Sequence, residues 1–222
     1  MDKAFARDNA ILQARLALGG RYCAVDTETT GLKMPEVIQV ACVTSDGKDF
    51  NHLLCPSIPI EPGATETHHI TMDMVAGEHV INDLWPQLSR FVKAYPIVGY
   101  NVTYDILAIN NSLHNHDIAS PVSTKDVFDV MLCYADFYGE LNPSTGSFKW
   151  QKLDEALEQT NIGVPVGHHD AMVDVRSTIA LLRYISNQRT TWEWAIHLVY
   201  ELPEFTPELI AAIERITYGR FV

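Results

Sequence analysis

The chain has 222 residues, of which 47% are hydrophobic and 20% charged, and this predicts one folded α/β domain with short appendages at most. The composition excludes disorder, collagen-like repeats and coiled coil, and no apolar run approaches the roughly 18 residues of a membrane span. A net charge of −12 disfavours a protein that binds nucleic acid mainly through a broad basic surface. Residues 1–20 lack the apolar core of a signal peptide, so the expected location is cytoplasmic, away from membranes.

The predicted elements begin with a helix and a three-stranded meander. Residues 1–18 carry apolar side chains at helical spacing, and Gly19-Gly20 ends that helix. The stripe consists of Ala4, Phe5, Ile11, Leu12 and Leu16. Strands are predicted at 21–25, 37–43 and 49–55, with a hairpin turn at 45–47 and a proline-rich connection after the third strand.

Helices dominate the second half of the predicted pattern. They are expected at 81–94, 103–113, 153–159 and 171–186, and an apolar-periodic stretch lies in the tail after residue 192. A short strand is predicted at 96–100, and residues 124–138 read as a strand end that runs into a helix. The order of elements predicts a mixed sheet flanked by helices.

The strongest local motif is D-T-E-T-T-G-L, from Asp26 to Leu32, at the end of an apolar strand. Because residues two apart in a strand point to the same side, Asp26 and Glu28 are predicted to project into one cleft. Two carboxylates that close raise each other's pKa unless a cation joins them, and a hard divalent ion is the natural partner. Alternatively, Asp26 caps a following helix and Glu28 is solvated.

Two further motifs carry carboxylates. G-Y-N-V-T-Y-D ends at Asp105 in the first turn of a predicted helix, where the helix dipole alone also favours an aspartate. H-D-A-M-V-D places His169 before another predicted helix and Asp174 near its apolar side. An unpaired carboxylate at a buried position is costly, and a metal ion removes that cost.

Together and in this order, the three motifs resemble those of the DEDDh family, the DnaQ-like 3′–5′ exonucleases. The first motif is similar almost letter for letter. The second is similar to the family's G-H-N-x-x-F-D, and the third is similar to its H-x-A-x-x-D. In addition, H-H-I-T at 68–71 is similar to the family's H-G-I-T. The resemblance covers about residues 22–185. It implies a ribonuclease-H-like fold, which is an α/β fold with a mixed β-sheet flanked by α-helices.

The resemblance also implies the site. The ligands of two Mg²⁺ or Mn²⁺ ions would be Asp26, Glu28, Asp105 and Asp174, and the general base would be His169. Contacts to the substrate are implied for Thr27, Leu32, His68 and Asn101. The departures from the family lie outside the catalytic set: among them, Tyr100 replaces the histidine of the second motif, and His69 replaces the glycine of H-G-I-T.

The activity that the resemblance implies is hydrolysis from the 3′ end of a nucleic acid, with release of nucleoside 5′-monophosphates. The D-T-E-T-T-G form resembles proofreading subunits, so DNA 3′ ends are the expected substrate, with a DNA polymerase or another replication or repair protein as an expected partner. An RNA-trimming exoribonuclease is the alternative within the family. The expected division is an N-terminal helical extension (1–20), the exonuclease domain (21–188) and a C-terminal helical extension packed on it (189–222).

Other classes of protein share some of these features. The H-D doublet at His169 is also found in all-helical HD-type phosphohydrolases, but the three predicted strands disfavour that fold. A module that only binds nucleic acid or a partner would not need all four carboxylates and the histidine. Between the second and third motifs, Lys149, Trp150 and Lys152 lie in a predicted loop that either contacts a substrate backbone or is simply solvated.

Overall fold

The computed structural model describes residues 2–119, 121–167 and 169–194. A five-stranded mixed sheet has the order β3-β2-β1-β4-β5. The strands are β1 (Cys23–Thr29), β2 (Val37–Thr44), β3 (Asp49–Leu53), β4 (Ile97–Gly99) and β5 (Val127–Asp129). The first three pair antiparallel, whereas β4 is parallel to both β1 and β5. The predicted α/β fold with a mixed sheet is therefore confirmed.

Helices cover both faces of the sheet. They are α1 (Lys3–Gly19), α2 (Pro62–His68), α3 (Met72–Val75), α4 (Ile81–Val92), α5 (Val102–Asn115), α6 (Val130–Tyr138), α7 (Leu153–Gln159) and α8 (Ala171–Ser186). One core lies between the sheet and helices α4 and α5, and a second lies between the sheet and helices α1, α6, α7 and α8. Residues of β1 alternate between them: Val25 belongs to the first core and Ala24 to the second.

The predicted apolar stripe of α1 is wrong at four of its five positions. Ala4, Phe5, Leu12 and Leu16 are exposed, whereas the small residues Ala10 and Ala14 are buried. Small side chains let α1 approach its neighbours closely, and the Cys133 thiol of α6 lies 3.5 Å from the Ala10 carbonyl. The predicted domain division at residues 20 and 188 stays a prediction, and residues 195–222 of the predicted C-terminal extension lie outside the described residues.

The proline-rich connection contains two short helices that the sequence pattern did not predict. Pro62 begins α2, a position where its missing N–H costs nothing. His69 caps the end of α2 with φ +61°, so a histidine here adopts the left-handed conformation that glycine reaches most easily. Among the described residues, no helix has the length and apolar character needed to cross a membrane.

Candidate active site

Asp26 and Glu28 lie on the same face of β1, as the strand spacing predicts. In the antiparallel pairing with β2, they are opposite Ala41 and Gln39. Both are half-buried, and the intervening Thr27 points to the other side of the strand. The two carboxylates therefore share the side of the sheet on which α8 packs.

Asp105 approaches β1 from the first turn of α5. The helix follows Asn101, which has φ +56° and turns the chain sharply at the end of β4. Asp105 is only 4% exposed, and its carboxylate accepts a hydrogen bond of 2.7 Å from the Thr27 hydroxyl. The Asn101 amide donates to Asp129, which also caps α6. A hydrogen bond thus fixes the third carboxylate against the strand that carries the first two.

The third motif forms the start of α8. The Asp170 side chain caps the helix by accepting from the amides of Met172 and Val173. The amide of His169, a residue with φ +64°, donates to the Asp174 carboxylate at 3.2 Å. Ligand atoms of Glu28, His169 and Asp174 lie within 4.8 Å of one another. The fold therefore brings all five residues of the predicted catalytic set to one region.

The carboxylates of this site repel one another. Burial raises the pKa of Asp26 well above its usual range, and the charges of Asp105, Asp174 and Glu28 raise it further. Burial and the charge of Asp174 raise the pKa of Glu28 to about 8, and burial raises the pKa of Asp105 to about 7. Clustered carboxylate oxygens suit a hard divalent cation, whose charge would remove this repulsion. The donor set therefore fits the metal dependence implied by the motifs.

The stability of the metal-free protein is expected to fall as pH rises from about 5 to about 8. The pKa of Glu28 rises from 4.5 to about 8 on folding, so in this window the folded state binds more protons than the unfolded state. Urea denaturation in chelator measures the effect. A divalent ion should reduce the pH dependence, and Glu28→Gln should make it smaller without metal, while the raised pKa values of Asp26 and Asp105 maintain the remainder. Stability in chelator that rises across this window would contradict the assignment of the repulsion to this site.

Gln39 joins the β2 strand to the start of α8, and sequence reasoning missed it. Its amide nitrogen donates to Asp170 Oδ2 at 2.9 Å, and its carbonyl accepts from the Ala171 amide at 3.2 Å. The side chain is 5% exposed and lies directly across from Glu28. One amide group therefore sets the position of the third motif relative to the first. A polar residue within the apolar run at 37–43 was the available signal.

An exchange of charges tests this contact. Gln39→Glu places two carboxylates together, and Asp170→Asn places two N–H donors together, so each variant should lose about 10- to 100-fold in activity. The double variant restores one donor and one acceptor and should recover most of the loss. Activity and apparent metal affinity should be measured for all four proteins. Additive losses in the double variant would show that the two side chains are not coupled.

A cavity of about 380 Å³ adjoins the carboxylates on the side of α2. Its walls include Thr27, Leu32 and His68, which are three of the four residues predicted to contact substrate; Asn101 is not part of the lining. Leu32 is 82% exposed at this cavity. His68 is buried, and both of its ring nitrogens bond to the backbone, at Thr29 and Ile70. His68 therefore offers the face of its ring to the cavity and supports the loops around it.

Tyr104 is a second residue that sequence reasoning missed. Its hydroxyl donates to the Gly31 carbonyl at 2.6 Å and lies 3.0 Å from the Thr29 hydroxyl. These contacts tie the first motif to α5. The signal was present in the second motif, where this chain has tyrosine in place of the phenylalanine of G-H-N-x-x-F-D.

The mixed sheet and the carboxylate cluster define a metal-dependent nuclease of the ribonuclease-H-like class. Residues 23–182 match the family model of the exonuclease domain RNase_T. The chain belongs to this exonuclease family and is a DnaQ-like, divalent-metal-dependent 3′–5′ exonuclease. The prediction made from the three motifs is thus confirmed at the level of the family and the reaction.

Two relatives and one solved structure illustrate the similarity. The chain is 30% identical to the uncharacterized exonuclease CP81 of Escherichia phage 186, over 71% of this chain and 84% of that protein. It is 35% identical to the DNA polymerase III subunit epsilon of Treponema pallidum, over 62% of this chain and 64% of the subunit. The nuclease domain of 3′hExo, a DEDDh family member solved with bound rAMP, shares the fold, with a TM-score of 0.61, 16% identity and coverage of 75% and 92% of the two chains.

Proposed function

We propose that the chain removes nucleoside 5′-monophosphates from DNA 3′ ends with two Mg²⁺ or Mn²⁺ ions. The residues that would hold the ions are Asp26, Glu28, Asp105 and Asp174. The observation that carries the proposal is the convergence of three distant segments, with ligand atoms of Glu28, His169 and Asp174 within 4.8 Å of one another. When bound, the ions supply a nucleophile at neutral pH and neutralise charge at the cleaved phosphodiester.

The chain's own groups position the substrate and move a proton. The His169 ring lies beside Glu28 and Asp174, so it is placed to take the proton of the attacking water as general base. The Thr27 hydroxyl holds the Asp105 carboxylate in its orientation. The cavity with Leu32 at its edge suits the terminal nucleotide, since an exposed leucine is placed to contact the base or separate it from its neighbour.

DNA as the substrate is supported by the relative that is a subunit of DNA polymerase III. The same similarity favours association with a polymerase or with another replication or repair protein. The four cysteines are all free, and reduced thiols are typical of the cytoplasm, which is where we place the activity.

The test uses three matched substrates that carry a 5′ label, namely single-stranded DNA, duplex DNA with a 3′ mismatch and RNA of the same sequence, together with circular single-stranded DNA that carries an internal label. With Mg²⁺ or Mn²⁺ we expect stepwise shortening of DNA from the 3′ end and release of 5′-monophosphates, and no reaction with chelator. A 3′-phosphate should slow cleavage strongly. Faster digestion of RNA would assign the enzyme to RNA trimming, and efficient cutting of the circle would overturn the exonuclease mechanism.

A further inference from the structure

The segment between α6 and α7 forms a braced hairpin. Leu141 and Phe148 form an antiparallel bridge, the Asn142 amide donates to the Ser147 carbonyl, and the Lys149 amide donates to the Glu140 carbonyl. At its base, Gln151 is 3% exposed, and its side chain donates to Glu140 at 2.9 Å. The hairpin therefore has a fixed base from which its exposed side chains project.

Tyr100 connects this base to the end of β4, the parallel neighbour of the strand that carries Asp26 and Glu28. Ala24 of β1 pairs with Val98 of β4, and Tyr100 directly follows the last residue of β4. The Tyr100 hydroxyl donates to the Gln151 carbonyl at 2.8 Å. The base of the hairpin is thus hydrogen-bonded to the residue that follows β4, the strand next to β1 in the sheet. This gives a role to the tyrosine that replaces the family's histidine.

An aromatic and two cationic side chains lie at this base. Trp150 is 57% exposed, and Lys149 and Lys152 on either side of it are exposed as well. The Lys149 ammonium is 3.3 Å from a Glu140 carboxylate oxygen, but an exposed pair of this kind is weak and exchanges readily for another anion. The two ammonium groups flank the exposed indole in sequence, and the nearest carboxylates at this base are those of Glu140 and Glu155.

We propose that Trp150, Lys149 and Lys152 bind the single-stranded segment that lies upstream of the terminal nucleotide. The indole stacks on an unpaired base, and the two ammonium groups contact phosphates on either side of it. Stacking requires an exposed aromatic face and an unpaired base, and it does not depend on the sequence of the strand. The inference rests on the proposed function, because it assumes that the strand's 3′ end occupies the carboxylate site.

Binding is measured first, by fluorescence anisotropy of a labelled oligothymidylate whose last linkage is a phosphorothioate. Trp150→Ala should raise Kd by roughly tenfold, and Trp150→Phe should recover part of that loss. In the double variant Lys149→Gln with Lys152→Gln, the slope of log Kd against log salt concentration should fall by the amount expected for the loss of about two phosphate contacts. The matched controls are Trp192→Ala and Lys125→Gln, which remove an exposed tryptophan and an exposed lysine outside the hairpin.

Kinetic measurements then distinguish an effect on binding of the upstream strand from an effect on the carboxylate site. The p-nitrophenyl ester of thymidine 5′-monophosphate has no upstream nucleotide, so the loss of kcat/KM in Trp150→Ala should be about tenfold larger for an oligonucleotide than for this ester. Equal losses on both substrates, or an unchanged Kd, would overturn the hairpin proposal while the exonuclease proposal stands. A wild-type protein that binds the oligomer through Trp150 but releases no mononucleotide would instead overturn the proposed function.

Discussion

Asp26→Asn and Asp174→Asn are each expected to abolish nearly all activity and leave the protein folded. Each substitution keeps the shape of the side chain and removes one charge from the cluster. Loss of a ligand that stabilises charge in the transition state should lower kcat by a factor on the order of 10³ or more. Single-turnover release of mononucleotides with saturating Mg²⁺ measures the effect.

The same variants should be more stable than the wild type in chelator. Burial and neighbouring charges raise the pKa of Asp26 because its charged form is unfavourable in the folded protein, and the neutral amide removes that repulsion. Thermal unfolding with and without Mg²⁺ measures the effect. Compared with the wild type, the Tm in chelator should be higher, and the increase in Tm caused by Mg²⁺ should be smaller. Asp83→Asn, at an exposed position on α4, is the matched control. A folded Asp26→Asn protein with near-wild-type turnover would contradict the two-metal assignment.

His169→Ala should slow the chemical step by a factor on the order of 10² to 10⁴, the usual contribution of a general base. Metal-induced stabilisation should change little, since the proposed ligands are the four carboxylates. Added imidazole should restore part of the rate, because it can enter the space left by the side chain and accept the proton. Pre-steady-state cleavage with and without imidazole measures both effects.

The control for this prediction is His168→Ala, one residue earlier in the chain and outside the described residues. The rate of its chemical step should stay within a few-fold of the wild-type rate. An inactive His168→Ala together with an active His169→Ala would show that the register of the third motif is wrong, and the assignment of Asp174 with it. Loss of metal-induced stabilisation in His169→Ala would instead make the histidine a metal ligand.

The sequence predicted the elements that carry the motifs well, because their apolar periodicity is strong. The predicted helices at 153–159 and 171–186 agree with α7 and α8, and the meander agrees with β1, β2 and β3 within a few residues. The prediction failed where the spacing of large apolar residues does not show which residues of a helix contact the rest of the fold. On α1, alanines pack against α6 and α8 and the larger Phe5 and Leu16 remain exposed, which no periodicity of large apolar residues reveals.

The candidate site could be predicted only as far as its motifs. The strand spacing placed Asp26 and Glu28 together, and the resemblance supplied Asp105, Asp174 and His169. The supporting contacts could not be predicted, because they depend on which distant segments meet in space. Gln39 is 131 residues from the Asp170 carboxylate that it contacts, and Tyr104 is 73 residues from the Gly31 carbonyl.

The placement of β1 at the centre of the sheet has a consequence for the folding of the enzyme. The antiparallel neighbour β2 follows β1 within a few residues, whereas the parallel neighbour β4 joins from residue 97, and α8 completes the carboxylate cluster from residue 171. Closing such long loops is entropically costly and tends to come late. A partly folded chain would hold the first motif without its partners and would cut nothing. Recovery of nuclease activity during refolding should therefore lag behind recovery of secondary structure, so that catalysis appears only when the last long-range contact has formed.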